Sequence, residues 1–243
     1  MVPDLLSALA LLTRLPLPNH RATGAASAWA WPLVGAVLGA MGATLASATL
    51  WLGVTPGVTA VLVLALGAML TGGLHEDGLS DAADGLFGGW TKARRLEIMK
   101  DSRVGSYGVL ALVLVTLARW SALTALLVHD EYWAALIVTG AMSRVPMGLM
   151  MSLLPNARGE GFSHATGRPS GKVALVGVGI AFALSALLAG WSAVALGVAA
   201  LAVTVALSIL ALRKIGGQTG DILGASQQLA EVACLAVLSA LVR

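Results

Sequence analysis

Charge is what this sequence has least of. Of its 243 residues only 11% are Asp, Glu, Lys or Arg, and residues 22–74 and 173–212 contain none. Soluble globular domains carry about 25%, so an ordinary water-soluble domain is excluded. With 58% hydrophobic residues and a mean hydropathy of +0.87, the chain reads as a polytopic membrane protein. Cysteine is nearly absent as well. Cys234 stands alone in an apolar run, which excludes an internal disulfide and makes it a small packing residue. His20, His75 and His129 lack the partner spacing of a zinc site. A net charge of +3 is too small to argue for a nucleic-acid partner. A basic leader is missing too. Asp4 precedes the apolar run Leu5 to Leu12, which ends in Arg14-Leu15-Pro16-Leu17-Pro18. A short interfacial or re-entrant helix is expected there, not a cleavable signal or a span.

Apolar windows long enough to cross about 30 Å of hydrocarbon predict seven helices. They cover Trp31–Gly53, Val58–Leu74, Ser106–Val128, Tyr132–Leu154, Val173–Ala189, Trp191–Leu212 and Ile222–Val242. The expected fold is an all-α polytopic integral membrane bundle of six or seven spans, in one domain over residues 1–243. The short breaks Val54-Thr55-Pro56-Gly57, His129-Asp130-Glu131 and Ala189-Gly190-Trp191 hold no Lys or Arg. The long loops and the N-terminal segment hold the cations, so the positive-inside rule puts them in the cytoplasm. Small residues such as Gly35, Gly39, Gly42 and Ala43 suit close helix packing. Trp29, Trp31, Trp51 and Trp133 fall near predicted membrane boundaries and are expected to anchor the chain there.

Within this apolar background one stretch stands out. Asp77, Asp81 and Asp84 are spaced i, i+4 and i+7, directly after a charge-free span. At 3.6 residues per turn they share one helical face. Like charges at that spacing weaken a helix unless a cation lies among them. Hard oxygen ligands suit Mg²⁺ or Mn²⁺, so a divalent metal site for phosphate chemistry is expected. Helix capping would explain one or two such residues without any ligand.

Cations follow at once, at Lys92, Arg94, Arg95, Lys100 and Arg103. An ordinary cytoplasmic loop explains some of these. Arg103 is the candidate phosphate clamp, because Gly105 and Gly108 let backbone approach a ligand closely. Arg158-Gly159-Glu160-Gly161 is a second candidate ligand loop. Gly216-Gly217-Gln218-Thr219-Gly220-Asp221 is a third, where Gly217, Thr219 and Gly220 could present backbone N–H groups and Asp221 another metal oxygen. Arg119, Arg144 and Glu231 fall inside predicted spans, at about 2.5–3.5 kcal/mol each on an insertion scale. Either an ion pair between Glu231 and an arginine or a substrate contact would explain them.

Several of these segments together resemble one family, cobalamin synthase or adenosylcobinamide-GDP ribazoletransferase. They are Thr71-Gly72-Gly73-Leu74-His75, Asp77-Gly78-Leu79-Ser80-Asp81, Asp84-Gly85, the run Leu96 to Gly105 and the run Gly216 to Ala225. Thr13 to Pro18, Trp31 to Gly35 and Ala157 to Gly161 fit as well, so the resemblance covers nearly the whole chain. Glu76 departs from the pattern, where an apolar residue can stand. The resemblance implies a multi-pass enzyme of the bacterial inner membrane. It would transfer the adenosylcobinamide phosphate group from adenosylcobinamide-GDP to α-ribazole or its 5′-phosphate and release GMP. The aspartate face is also similar to that of CDP-alcohol phosphotransferases, which use two divalent ions. On that basis Asp77, Asp81, Asp84 and Asp221 are the expected metal ligands, with Asp81 or Asp84 taking the proton of the attacking hydroxyl. Arg94, Arg95, Lys100, Arg103, Arg158, Glu160, Gly217, Thr219 and Gly220 are the expected substrate contacts. The bilayer and a second copy of the chain are the expected partners. Two rivals differ in kind. A membrane prenyltransferase would need a second strong aspartate motif. A transporter would use Arg119, Arg144 and Glu231 and work without Asp77 and Asp81.

Overall fold

The computed structural model describes residues 1–242 and is helical throughout, with no strand among the described residues beyond one isolated bridge. Six helical segments are long and apolar enough to cross a membrane, and a bent pair brings the count to seven. The first helix, α1 (Val2–Leu12), has Pro3 in its first turn and buries Ala8 and Leu12 against the bundle. A 3₁₀ turn, Gly24–Ala30, then leads into α2 (Trp31–Trp51).

The second predicted span, Val58–Leu74, is not a straight rod. Its helix α3 (Pro56–Thr71) stops at Gly72, and the chain turns 89° into α4 (Leu74–Gly88). Gly72 and Gly73 both adopt left-handed backbone, φ +66° and +70°, which side-chain-bearing residues rarely adopt. Sixteen residues rise only about 24 Å, short of the hydrocarbon thickness, and the right-angled α4 makes the pair a broken or re-entrant segment.

Then come α5 (Lys92–Ile98), capped by the Thr91 hydroxyl, and the long α6 (Ser106–Val128). The predicted span Tyr132–Leu154 is interrupted at Ser143-Arg144, giving α7 (Tyr132–Met142) and α8 (Val145–Leu153). Pro146 lacks the N–H that would have continued the ladder. A short α9 (Phe162–Thr166), then α10 (Gly171–Ala189), α11 (Ser192–Ile215) and α12 (Gly220–Leu241), complete the chain.

Glycines set two close helix crossings. A Cβ on Gly35 would collide with the Gly140 carbonyl, and one on Gly39 with that of Leu136, so α2 and α7 meet backbone to backbone. The second crossing, α4 on α12, builds the site. Apolar packing falls into two layers. One contains Leu12, Trp31, Leu86, Met151 and Ile222; the other contains Leu123, Leu126, Val138, Cys234 and Leu235. Cys234 is fully buried in the second, as its apolar run predicts. Trp31 is 3% exposed and belongs to the first, so it is a core residue and not a boundary anchor; Trp51, 86% exposed, keeps that role.

Between the two layers lies a band of polar residues. Arg119 of α6 donates to Glu231 (2.6 Å) and Gln228 (2.8 Å) of α12, and to Glu76 of α4 at 3.4 Å. Arg144 lies 3.8 Å from Glu231, and Gln228 donates to Glu76 at 3.0 Å. The intramembrane charges are therefore an internal ion network. Glu76, which departs from the family pattern, is a member of it.

Candidate active site

Helix α4 carries the aspartates as the spacing predicts, all within Leu74–Gly88. Its close partner is α12. A Cβ on Gly78 would meet the Asp221 carbonyl oxygen and the Gly224 Cα at 3.1 Å, and one on Gly224 would meet the Gly78 Cα at 3.2 Å. These two glycines bring Asp77 and Asp81 beside Asp221. Asp81 lies within electrostatic reach of Asp77, Asp84, Asp221 and Arg158.

The third contributor is the loop after α8. Gln218 N–H donates to the Pro155 carbonyl (2.9 Å) and Ala157 N–H to the Gln218 carbonyl (2.8 Å), which ties this loop to the glycine turn before α12. Gly217 is required there because a Cβ would strike the Pro155 carbonyl. The Asn156 side chain accepts from the backbone N–H of Arg158 and Gly159 (3.1 and 2.8 Å), which shapes the turn. Arg158 is thereby delivered to Asp221, Nη2 to Oδ2 at 2.8 Å. Thr219 caps α12 by accepting from Ile222 N–H, and its hydroxyl donates to Asp221 at 3.2 Å. Gly220 opens α12 beside Ser163.

Asp84 is used differently from Asp77 and Asp81. It is 7% exposed, and its two oxygens accept backbone N–H groups from Gly105 (2.7 Å) and Gly108 (2.9 Å). A Cβ at either glycine would overlap that carboxylate. The close approach predicted at Gly105 and Gly108 is thus made by Asp84, which fastens the start of α6 to α4, and not by a substrate phosphate.

The expected phosphate-holding cations divide into two kinds. Arg95 is committed to the scaffold, donating to the Lys214 carbonyl at 3.1 Å while Lys214 donates to the Leu86 carbonyl at 2.7 Å. Arg94, Lys100 and Arg103 are solvent-exposed and pair with Glu97, Glu160 and Asp101 respectively. Hydrogen bonding from Arg103 holds the Asp101 carboxyl down at about 2, and the Lys100 hydrogen bond lowers that of Glu160. The Lys100–Glu160 pair bridges the loop before α6 to the loop carrying Arg158.

At the end of the bundle that carries the long loops, Asp81 thus has three other carboxylates, Asp77, Asp84 and Asp221, and one guanidinium, Arg158, within electrostatic reach. Arg158 is the only cation against Asp221 among the described residues. No three His, Cys, Asp or Glu side chains among the described residues stand close enough to form a ready-made metal cage. The donor set is nevertheless all hard oxygen and short of positive charge, which fits a divalent cation with part of its shell supplied by water or phosphate. Two cavities flank the acids. One of about 220 Å³ lies at the Asp77 and Asp221 end, and one of about 450 Å³ at the Asp84 and Arg103 end.

Sequence reasoning missed the partner of Asp221. The offset between Arg158 and Asp221 carries no local period, and only the paired loops reveal it.

A sequence model of the CobS family, described as cobalamin-5-phosphate synthase, matches residues 4–239. The adenosylcobinamide-GDP ribazoletransferase of Bradyrhizobium diazoefficiens is 42% identical, covering 99% of this chain and 94% of that protein. Proteins of the same name from Mesorhizobium japonicum and Azorhizobium caulinodans are 40% and 41% identical. They cover 98% and 97% of this chain, and 93% and 94% of themselves. No solved structure matches the chain. A match over nearly the full length, with several relatives near 40% identity, leaves one assignment: the chain belongs to the cobalamin-5-phosphate synthase family.

Proposed function

We propose that this chain is an adenosylcobinamide-GDP ribazoletransferase that closes the nucleotide loop of cobalamin. A hydroxyl oxygen of α-ribazole, or of its 5′-phosphate, forms a bond to the phosphorus that bears the adenosylcobinamide group. The bond from that phosphorus to the bridging oxygen breaks, and GMP leaves with the electron pair. The observation that carries this reading is the charge deficit around Asp81, which has Asp77, Asp84 and Asp221 within electrostatic reach and Arg158 as the cation among them.

Phosphoryl transfer asks a protein for positioning and charge neutralisation more than for covalent help. Asp77, Asp81 and Asp221 would hold Mg²⁺ or Mn²⁺, which neutralises charge on the phosphate oxygens when bound. Asp84 supports that set by fastening the start of α6 to α4 through its two backbone hydrogen bonds. Asp81 is the better acceptor for the hydroxyl proton, since both Asp84 oxygens already take backbone N–H groups. Arg158 orients Asp221 and can turn to the incoming phosphate. Lys100 and Arg103, exposed and carried on loops, are free to exchange carboxylate partners for the diphosphate of the donor. The long loops lie at one end of the bundle, and their cations support a cytoplasmic position for that end. A transporter is disfavoured because Arg119, Arg144 and Glu231 are engaged with one another around a small cavity of about 60 Å³.

The test is GMP release by detergent-solubilised protein supplied with adenosylcobinamide-GDP, α-ribazole and Mg²⁺. Turnover is expected to stop with EDTA and return with Mg²⁺. Metal alone is expected to raise Tm, because a ligand bound only by the folded state stabilises it. GMP release unaffected by EDTA would overturn the metal assignment; no GMP from folded protein would overturn the reaction.

A further inference from the structure

The two cavities lie at opposite ends of the acidic face, and their walls differ in kind. Asp77 and Asp84 are seven residues apart on α4, about 10 Å along the helix, with Asp81 between them. The cavity at the Asp84 end is bordered by Asp101, Arg103 and Ser106, which suits a charged, hydrogen-bonding ligand. The cavity at the Asp77 end is walled by Leu12, Trp31, Met147, Met151 and Leu223, and meets the acids only at Asp77 and Asp221.

We infer, resting on the reaction proposed above, that this apolar cavity receives the base of the acceptor nucleoside, so that its walls select the benzimidazole. Three observations converge. An in-line displacement places the attacking hydroxyl and the leaving GMP on opposite sides of phosphorus, and the two cavities flank the acids in that way. The volume, about 220 Å³, lies below the roughly 300–1,000 Å³ of sites that take drug-sized ligands. It suits one bicyclic ring and not a corrin macrocycle. The walls are mostly aliphatic, thioether and aromatic groups, with His75, Ser163 and Thr166 among them, which favours a flat, methylated heteroaromatic over a guanine with its larger number of polar edge atoms. Trp31 also carries a buried indole N–H with no hydrogen-bond partner in the protein. A benzimidazole nucleoside has one free ring nitrogen, an acceptor that a small shift of this wall would bring to it.

The experiment compares two acceptors, α-ribazole and the riboside of benzimidazole without its two methyl groups, using GMP release as the readout. Met151→Phe narrows the cavity. It is expected to raise KM for α-ribazole about tenfold, KM for the smaller riboside no more than about twofold, and KM for adenosylcobinamide-GDP not at all. Trp31→Phe keeps a ring in the wall and removes the N–H. It is expected to raise KM for both acceptors about fivefold, the scale of one neutral hydrogen bond, with kcat unchanged. The result that overturns the inference is an equal effect of Met151→Phe on the two acceptors, or a rise in KM for the donor instead. Should Met151→Phe fail to fold, Trp31→Phe decides alone: an unchanged acceptor KM refutes the assignment. Failure of the parent reaction is distinguishable, because the unaltered protein would then release no GMP with either acceptor.

Discussion

Two groups of charged residues lie on the same pair of helices, and they have opposite balances. Deep in the bundle, Glu76 of α4 and Glu231 of α12 meet two guanidiniums, Arg119 and Arg144, with Gln228 filling the gaps. On the same two helices, Asp77, Asp81 and Asp84 of α4 and Asp221 of α12 lie within electrostatic reach of one another, and Arg158 is the one cation paired with any of them among the described residues. The first group is balanced, two carboxylates against two guanidiniums inside the protein, and it fastens α4, α6 and α12 together. The second is left short of positive charge within reach of water. Such a deficit is relieved either by a proton on one of the carboxylates or by a cation from outside the chain. Residue type therefore says little about role in a membrane interior; the local sum of charges says more.

That contrast can be broken from either side. The largest effect is expected from Arg119→Met, which leaves Glu76 and Glu231 without their main partner. Unpairing a buried charge costs about 3–5 kcal/mol, read as a fall in the free energy of unfolding in detergent. The double variant Arg119→Met/Glu231→Met leaves one carboxylate and one guanidinium and is expected to recover more than half of the loss. Asp81→Asn should behave in the opposite way. Turnover is expected to fall at least about 10²-fold, the order seen when a group stabilising transition-state charge is removed. The metal-free Tm should hold or rise, because like charges are being separated. A fall in Tm comparable to that of Arg119→Met would mean that the acids are structural after all.

Smaller changes sharpen the comparison. Gly78→Ala inserts a methyl where 3.1 Å is available to Asp221 and Gly224. Overpacking of this kind typically costs about 1–3 kcal/mol. The affinity for Mg²⁺, measured as its half-saturating concentration, is expected to weaken several-fold as Asp221 moves off. The smallest effect belongs to Arg103→Ala. Its partner Asp101 is a loop carboxylate, so Tm should not move, while KM for adenosylcobinamide-GDP rises a few-fold and loses its dependence on salt. The pH dependence of that pair has a definite sign. Asp101 is held at about 2 in the folded protein, so its contribution is complete above the ordinary carboxylate pKa and is lost only as pH falls toward 2. Between pH 5 and 8 it should be invisible.

Much of this was legible in the sequence, for identifiable reasons. Spans follow from run length, so α6, α10, α11 and α12 appear within a few residues of the predicted windows. The acidic face follows from helical period, which is local. What escaped prediction depends on contacts between distant segments. Gly72 and Gly73 read as the end of a span, and only their shared left-handed backbone makes them a right-angle turn. Gly105 and Gly108 correctly signalled a close approach, but the approaching group is Asp84, more than twenty residues earlier. Arg95 looked like its neighbour Arg94, yet one binds a carbonyl in α11 and the other faces solvent. Trp31 sits where a boundary residue would, and the preceding 3₁₀ turn carries it into the core instead.

The pairing of the loop at residues 155–158 with the turn before α12 has a consequence for biogenesis. Thr219 and Asp221 cap and open α12, whereas Asp77 and Asp81 are made some 140 residues earlier. At synthesis rates of about 5–20 residues per second, the early aspartates wait for several seconds in an inserted but unfinished bundle. During that interval no Asp221, no Gly224 seat and no Gln218 anchor for the Arg158 loop exists. A chain that has not yet reached α12 therefore holds Asp77 and Asp81 without the backbone seat that Gly78 and Gly224 form between the two helices, and the acidic site is completed only when α12 joins the bundle.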